Sequence, residues 1–241
     1  FGTCQESRNE MDPLAPDYMG PTLWSSDLEV FARIGQQFEE QRNGSHLDML
    51  HQSPMCMGIE HEEANVYWVA DGAGGPRGSG GLPHIVRYDF ARDHGPGRDD
   101  HSDGRVHRYV EAKFIPVANI PSHLARDPAS DWLYYLDTGG GRVMRLDTST
   151  GSVTRNLPLN HEPLAEYAEV TGVTVEAWVD EGLQRPTGIA IGEERIFVSD
   201  YATAEIVAFD RDGEEVGRID TGAGELTGIG LGPEGRIWFV D

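Results

Sequence analysis

Four histidines carry the first chemical signal in this chain: His51, His84, His123 and His161. A neutral imidazole offers one lone pair of borderline softness, so several arriving from different loops suit zinc or copper. His51 precedes an apolar run, and His84 follows a glycine insert, "GAGGPRGSGG". His123 lies in "PSHLA", where later copies of the same pattern carry only Gly188 and Gly228. His161 falls in a long insertion, "LNHEPLAEYAEVTGVTVEAWVDEG". The stretch "HLDMLHQSPMCMG" adds Met55, Cys56 and Met57. These would tilt the choice towards copper if they faced inward, but as core residues they would only pack. A second constellation is "RDHGPGRDDHSDG", with Asp93, Asp99, Asp100 and Asp103 interleaved with glycine. Carboxylate and backbone oxygens spaced in this way can wrap calcium, although the spacing is not that of an EF-hand. A solvated acidic hairpin loop is the plainer expectation for it.

The elements that must position these groups form a repeat. "NVYWVAD", "DWLYYLD", "RIFVSD" and "RIWFVD" are short β-branched and aromatic runs closed by Asp71, Asp137, Asp200 and Asp241. Runs of this composition and length read as strands. Three are followed by a second run also closed by Asp, at Asp89, Asp147 and Asp210. A third run comes next in each: "RVHRYV", "SVTRNL" and "EEVGRI". A small-residue strand precedes every unit, as in "RPTGIAIG" and "ELTGIGLGP". Four strands per unit, the innermost built of small residues, predict an all-β β-propeller of four-stranded blades starting near 53, 120, 185 and 225. The recurring Asp residues, present in every unit, are expected to cap turns rather than to do chemistry. Residues 1–26 read as an extended N-terminal arm, and 27–241 as the propeller. Two closures are consistent with four inner strands. Either residues 27–35 supply an outer strand that completes the last blade, or the chain is a fragment of a six-bladed propeller. "RIWFVD" ends where the pattern demands another strand, which favours the fragment. On this topology the four histidines map to one face, and the loop 92–104 to the opposite one.

The pattern "RPTGIAIGEERIFVSDYATAEIVAFDRDG" closely resembles blades of the NHL-repeat propellers, over about residues 53–241. Within that group, "VSDY" at 198–201 and "PSHLA" at 121–125 resemble pieces of the peptidyl-hydroxyglycine lyase propellers. That resemblance implies a zinc on axial histidines, with His123 as a ligand, Tyr201 as the base, and Arg126 or Arg185 clamping a substrate carboxylate. A resemblance to gluconolactonase-like propellers, which hold a divalent ion with Glu, Asn and Asp, would fall on Glu60 and Asn119. The expected function is that of a metal-binding propeller, acting as a metal-dependent lyase or hydrolase on a small-molecule or peptide ligand. The alternative is a non-catalytic scaffold for a protein, peptide or glycan, since one fold serves both.

Bulk properties narrow the field. Asp and Glu number 41 against 19 Lys and Arg, a formal charge of −22. Such a field repels phosphate backbones and anionic lipids, so nucleic acid is not an expected partner. No apolar stretch reaches the ~18 residues of a membrane span, so no membrane insertion is expected. No phosphate loop, dinucleotide fingerprint or nucleophile elbow is present in the sequence. Cys4 and Cys56 are the two cysteines. They would pair if the protein is secreted or periplasmic, and otherwise stay as free thiols, with Cys56 buried.

Overall fold

The computed structural model describes residues 1–8, 18–31, 46–74, 81–96, 100–159 and 162–241. In chain order the strands are β1 (Gly2–Arg8), β2 (Tyr18–Trp24), β3 (His46–Met49), β4 (Cys56–Glu63), β5 (Val66–Asp71), β6 (His84–Asp89), β7 (Arg105–Lys113), β8 (Leu124–Arg126), β9 (Trp132–Asp137) and β10 (Arg142–Asp147). They continue as β11 (Ser152–Asn156), β12 (Glu166–Thr171), β13 (Val175–Val179), β14 (Pro186–Ile191), β15 (Ile196–Asp200), β16 (Glu205–Phe209), β17 (Glu215–Asp220), β18 (Gly228–Leu231) and β19 (Ile237–Val240). The fold is all-β and of the β-propeller class, as the repeat predicts. The chain divides into two compact units, Phe1–Val110 with Val153–Val170 and Glu111–Ser152 with Thr171–Asp241.

In the first unit, β4, β5, β6 and β7 lie side by side in the expected blade order. Every residue of β5 is buried, because this strand is covered on both faces. Trp68, Val69, Ile85, Val86, Tyr88 and Val106 make the interior, and the Tyr88 hydroxyl is satisfied by Ser53 Oγ at 2.5 Å. Two additions were not predicted. β12 pairs parallel to β7, Glu166 opposite Arg105, and β11 lies outside β12. A separate sheet, β1-β2-β3, occupies part of the segment expected to be an extended arm. The Cys4–Cys56 disulfide ties β1 to β4, with Cα atoms 5.2 Å apart. Residues 28–31, expected within a closing strand, form a short helix, α1 (Leu28–Phe31). Its start is capped by Asp27 Oδ1, which accepts from the Glu29 amide at 2.9 Å.

The second unit holds the sheet β8-β9-β10-β13, the sheet β14-β15-β16-β17 and the pair β18-β19. Here the predicted strand assignment needs one correction. "SVTRNL" was expected as the outer strand beside β10, but β13 takes that place and "SVTRN" becomes β11, exposed along its whole length. Burial explains the exchange. β13 brings Trp178 against Tyr134 and Phe209, ring centroids 5.0 and 5.7 Å away, whereas β11 has one apolar residue to offer. The recurring Asp residues do cap turns. Asp71 accepts from the Ala73 amide, Asp137 from Ile115 and Gly140, and Asp200 from Ala202, Gln184 and Arg185.

Candidate functional site

The site forms where the chain leaves β3 and where β7 and β12 begin. β3 is the apolar run "HLDM", yet Asp48 within it is fully buried. Gly20 lets β2 approach closely. Its φ is +80°, and a Cβ there would lie 2.5 Å from the Leu50 carbonyl. Leu50 in turn rests on Gly104, so His51 is delivered to the residues just before β7. The parallel pairing of β12 with β7 does the rest. It sets the residues preceding both strands side by side, with the Ala165 amide donating to the Gly104 carbonyl at 2.9 Å. Glu162 and His101 therefore meet.

Glu162 is bound by residue 51 twice: the His51 amide donates to Oε1 at 2.8 Å, and His51 Nδ1 stands 2.7 Å from Oε2. His101 Nε2 stands 3.9 Å from the same Oε2, and its Nδ1 is 2.5 Å from Asp48 Oδ1. A carboxylate only accepts, so the proton of His101 sits on Nδ1 and Nε2 turns towards Glu162. Donor atoms of His51, His101 and Glu162 all lie within 4.8 Å of one another. Burial pushes the Glu162 carboxyl up, but the hydrogen bonds and charge of His51, with that of His101, outweigh it and hold the group below its ordinary range. Two imidazoles and an ionised carboxylate, one imidazole oriented by a second carboxylate, form a donor set suited to zinc. Glu162 and His101 are nearly buried, whereas His51 keeps 24% of its side chain exposed, so solvent reaches the group from that side.

The other sequence candidates lie elsewhere. His84 has both ring nitrogens engaged: Nε2 accepts from Arg108 Nε at 2.8 Å, and Nδ1 donates to the Leu82 carbonyl. Burial, with the Arg108 charge beside it, lowers its pKa to about 4. It belongs to a buried network in which Arg108 also pairs with Asp71 and donates to the Gln52 carbonyl. His123 is in the second unit, packed over Gly228, where a Cβ would come within 3.2 Å of its Cε1. Burial lowers its pKa too. Among the described residues neither His84 nor His123 joins a group of three donors, so the axial zinc that the resemblance implies has no ligand set around His123 there. His161 and Asp99 lie outside the described residues.

Tyr201 and Arg185 are adjacent, the Tyr201 amide donating to the Arg185 carbonyl at 2.8 Å, and Arg126 sits in β8 opposite Leu133. The Glu225 carboxylate beside Tyr201 raises its hydroxyl pKa, which favours the protonated form over a base. In the acidic loop, Asp93 and Asp100 cap their own turns at Gly95 and Ser102, while Asp103 pairs with Arg92 and His94. Cys56 Sγ is consumed by the disulfide, and the Met55 and Met57 sulfurs border Gly72. Glu60 lies in β4 opposite Trp68, and Asn119 is in an exposed turn.

The expected separation of the two faces does not hold. His51 and the loop 92–104 were expected on opposite faces, yet the His51 and His101 rings stand 5.9 Å apart. His51 is not carried by the start of β4 but by the end of β3, earlier in the chain, and that end lies beside the start of β7. Asp48, His101 and Glu162 were not among the predicted ligands. A carboxylate inside "HLDML" was the one sequence signal available, since an acidic residue in an apolar strand must have a partner.

Four-stranded blades with this connectivity define the chain as a β-propeller. No family model matches it, so the likeness to NHL repeats rests on the repeat pattern alone. No curated protein matches it either. Among solved structures, an auxiliary nutrient binding protein from Bacteroides thetaiotaomicron is similar with a TM-score of 0.50 at 11% identity, over 99% of this chain and 55% of that one. Streptogramin B lyase gives 0.49 at 15%, over 79% and 49%. A putative 6-phosphogluconolactonase from Bacteroides uniformis gives 0.46 at 13%, over 93% and 73%. The chain thus spans about half the length of the first two. At these identities the likeness is one of fold.

Proposed function

We propose that this protein is a metal-binding β-propeller whose first unit holds a divalent transition ion, zinc by preference, through His51, His101 and Glu162. The convergence of those three donors within 4.8 Å carries the proposal, and Asp48 behind His101 supports it. The absence of a free thiolate near the group favours zinc over copper(I). Three protein ligands leave a fourth position for water or a substrate oxygen, which is the arrangement of catalytic rather than structural zinc. A zinc ion there would polarise that oxygen or activate the water, the chemistry of a lyase or hydrolase acting on a small molecule or peptide. The protein's own part is to keep His101 in one tautomer through Asp48, to hold Glu162 ionised, and to admit ligand past His51. The disulfide supports work in an oxidising compartment, secreted or periplasmic.

Elemental analysis of the purified protein tests the reading, beside Glu162→Gln and His123→Ala. Zinc should be present in the wild type, lost in Glu162→Gln and retained in His123→Ala. Zinc retained in Glu162→Gln but lost in His123→Ala would move the site to the second unit. No transition metal in any of the three would end the proposal.

A further inference from the structure

Asp48 touches a second group of donors. One ligand atom each from Asp48, His94 and Asp103 also lie within 4.8 Å of one another. His94 Nε2 is 2.7 Å from Asp103 Oδ1, and the His94 side chain is only 10% exposed. Asp48 Oδ1 is already used, accepting from the Met49 amide at 2.7 Å and from His101 Nδ1. Its other oxygen, Oδ2, is buried and has no hydrogen-bond partner among the described residues. A fully buried carboxylate oxygen with nothing to accept from is unfavourable unless a cation completes it.

Charge points the same way. Asp48, Asp103 and Glu162 place three carboxylates in two adjoining groups whose other members are imidazoles. Arg92 pairs with Asp103 at 3.0 Å with 78% of its side chain in solvent, so it can swing away when a cation arrives.

We infer that Asp48, His94 and Asp103 form a second divalent-cation site, to which Asp48 offers its unpartnered Oδ2 while its Oδ1 holds His101. Two carboxylates and an imidazole suit an ion such as zinc or manganese. The link from Asp48 to a neighbouring ion rests on the reading of His51, His101 and Glu162 as the first site; the His94 group stands on its own geometry.

The test is metal stoichiometry after dialysis against zinc, and separately against manganese with electron paramagnetic resonance, on the intact wild-type chain. Its companions are His94→Gln, Asp103→Asn and Glu162→Gln, each checked for wild-type thermal unfolding without metal. Two ions per chain are expected. They should fall to one in His94→Gln and Asp103→Asn, with the manganese signal falling in proportion. One ion in the wild type, unchanged by His94→Gln and lost in Glu162→Gln, would overturn the second site and leave the first standing. One ion lost in His94→Gln but kept in Glu162→Gln would overturn the first site and leave the second standing. No bound ion would overturn both.

Discussion

Individual titrating groups give the clearest consequences. His84 is buried and neutral, its pKa lowered from 6.5 to about 4 by burial and by Arg108. The unfolded chain takes up this proton as pH falls through 6.5, whereas the folded chain resists until about 4. Acidification across that window therefore removes stability, by about 3 kcal/mol for a shift of this size. Urea unfolding at pH values of about 7, 5.5 and 4.5 should show the decline in the wild type and a shallower one in His84→Gln. Equal slopes in both proteins would show that the acid sensitivity arises elsewhere. Glu162 titrates in the opposite sense. Its depressed pKa gives stability that is present above the ordinary carboxylate range and is lost only as pH falls below it, so the two windows are separable. Asp48 acts through His101 and is a positioning residue for the proposed ion. Asp48→Asn should weaken zinc affinity by about 10–100-fold, as loss of an orienting carboxylate does, measured by competition with a chelating dye. An unchanged affinity would show that His101 needs no such support.

Elements are held by a buried polar network that crosses strands. Arg108 on β7 pairs with Asp71 on β5, donates to His84 on β6, and reaches the Tyr167 hydroxyl on β12 at 3.4 Å. Arg108→Met would fill much of the space but strand the Asp71 carboxylate, which is fully buried. The expected cost is about 3–5 kcal/mol, since breaking one side of a buried pair leaves a charge unmatched. Chemical denaturation measures it, and a loss under about 1 kcal/mol would show that Asp71 finds another partner. The disulfide works at the same scale, because it ties β1 of the small sheet to β4 of the blade. The two cysteines are 52 residues apart, and loop-closure entropy for that separation is worth about 4 kcal/mol. Reduction should lower the unfolding midpoint accordingly, and Cys4→Ser with Cys56→Ser should reproduce the effect without reductant.

Across the whole molecule, charge dominates. A formal charge of −22 makes the folded chain repel itself, and local pairs such as Arg145–Glu176 and Arg155–Glu169 relieve only part of that. Raising salt from about 20 to 500 mM shortens the screening length well below the size of the molecule. The thermal midpoint should therefore rise, by about 2–4 °C for each 1 kcal/mol of repulsion removed in a protein of this length. A midpoint that falls with salt would mean that attractive surface pairs outweigh the net charge.

The amino-acid sequence alone determined the strands β4 to β7, β8 to β10 and β14 to β17 and their order, because alternating β-branched and aromatic runs closed by turn-capping Asp leave a period that can be read directly. Asp71, Asp137 and Asp200 proved structural for the reason their recurrence suggested. It also marked a histidine-rich, acidic chain as a metal candidate, and His51 lies in the group that formed. Only the tertiary structure decided which residues meet there. Asp48, His101 and Glu162 are separated by 53 and 61 positions along the chain, and no local pattern links them. They converge because β12 pairs parallel to β7, while β13 takes the place beside β10. Such a choice depends on which of two strands buries more apolar surface in three dimensions. Periodicity along a single chain does not contain that comparison.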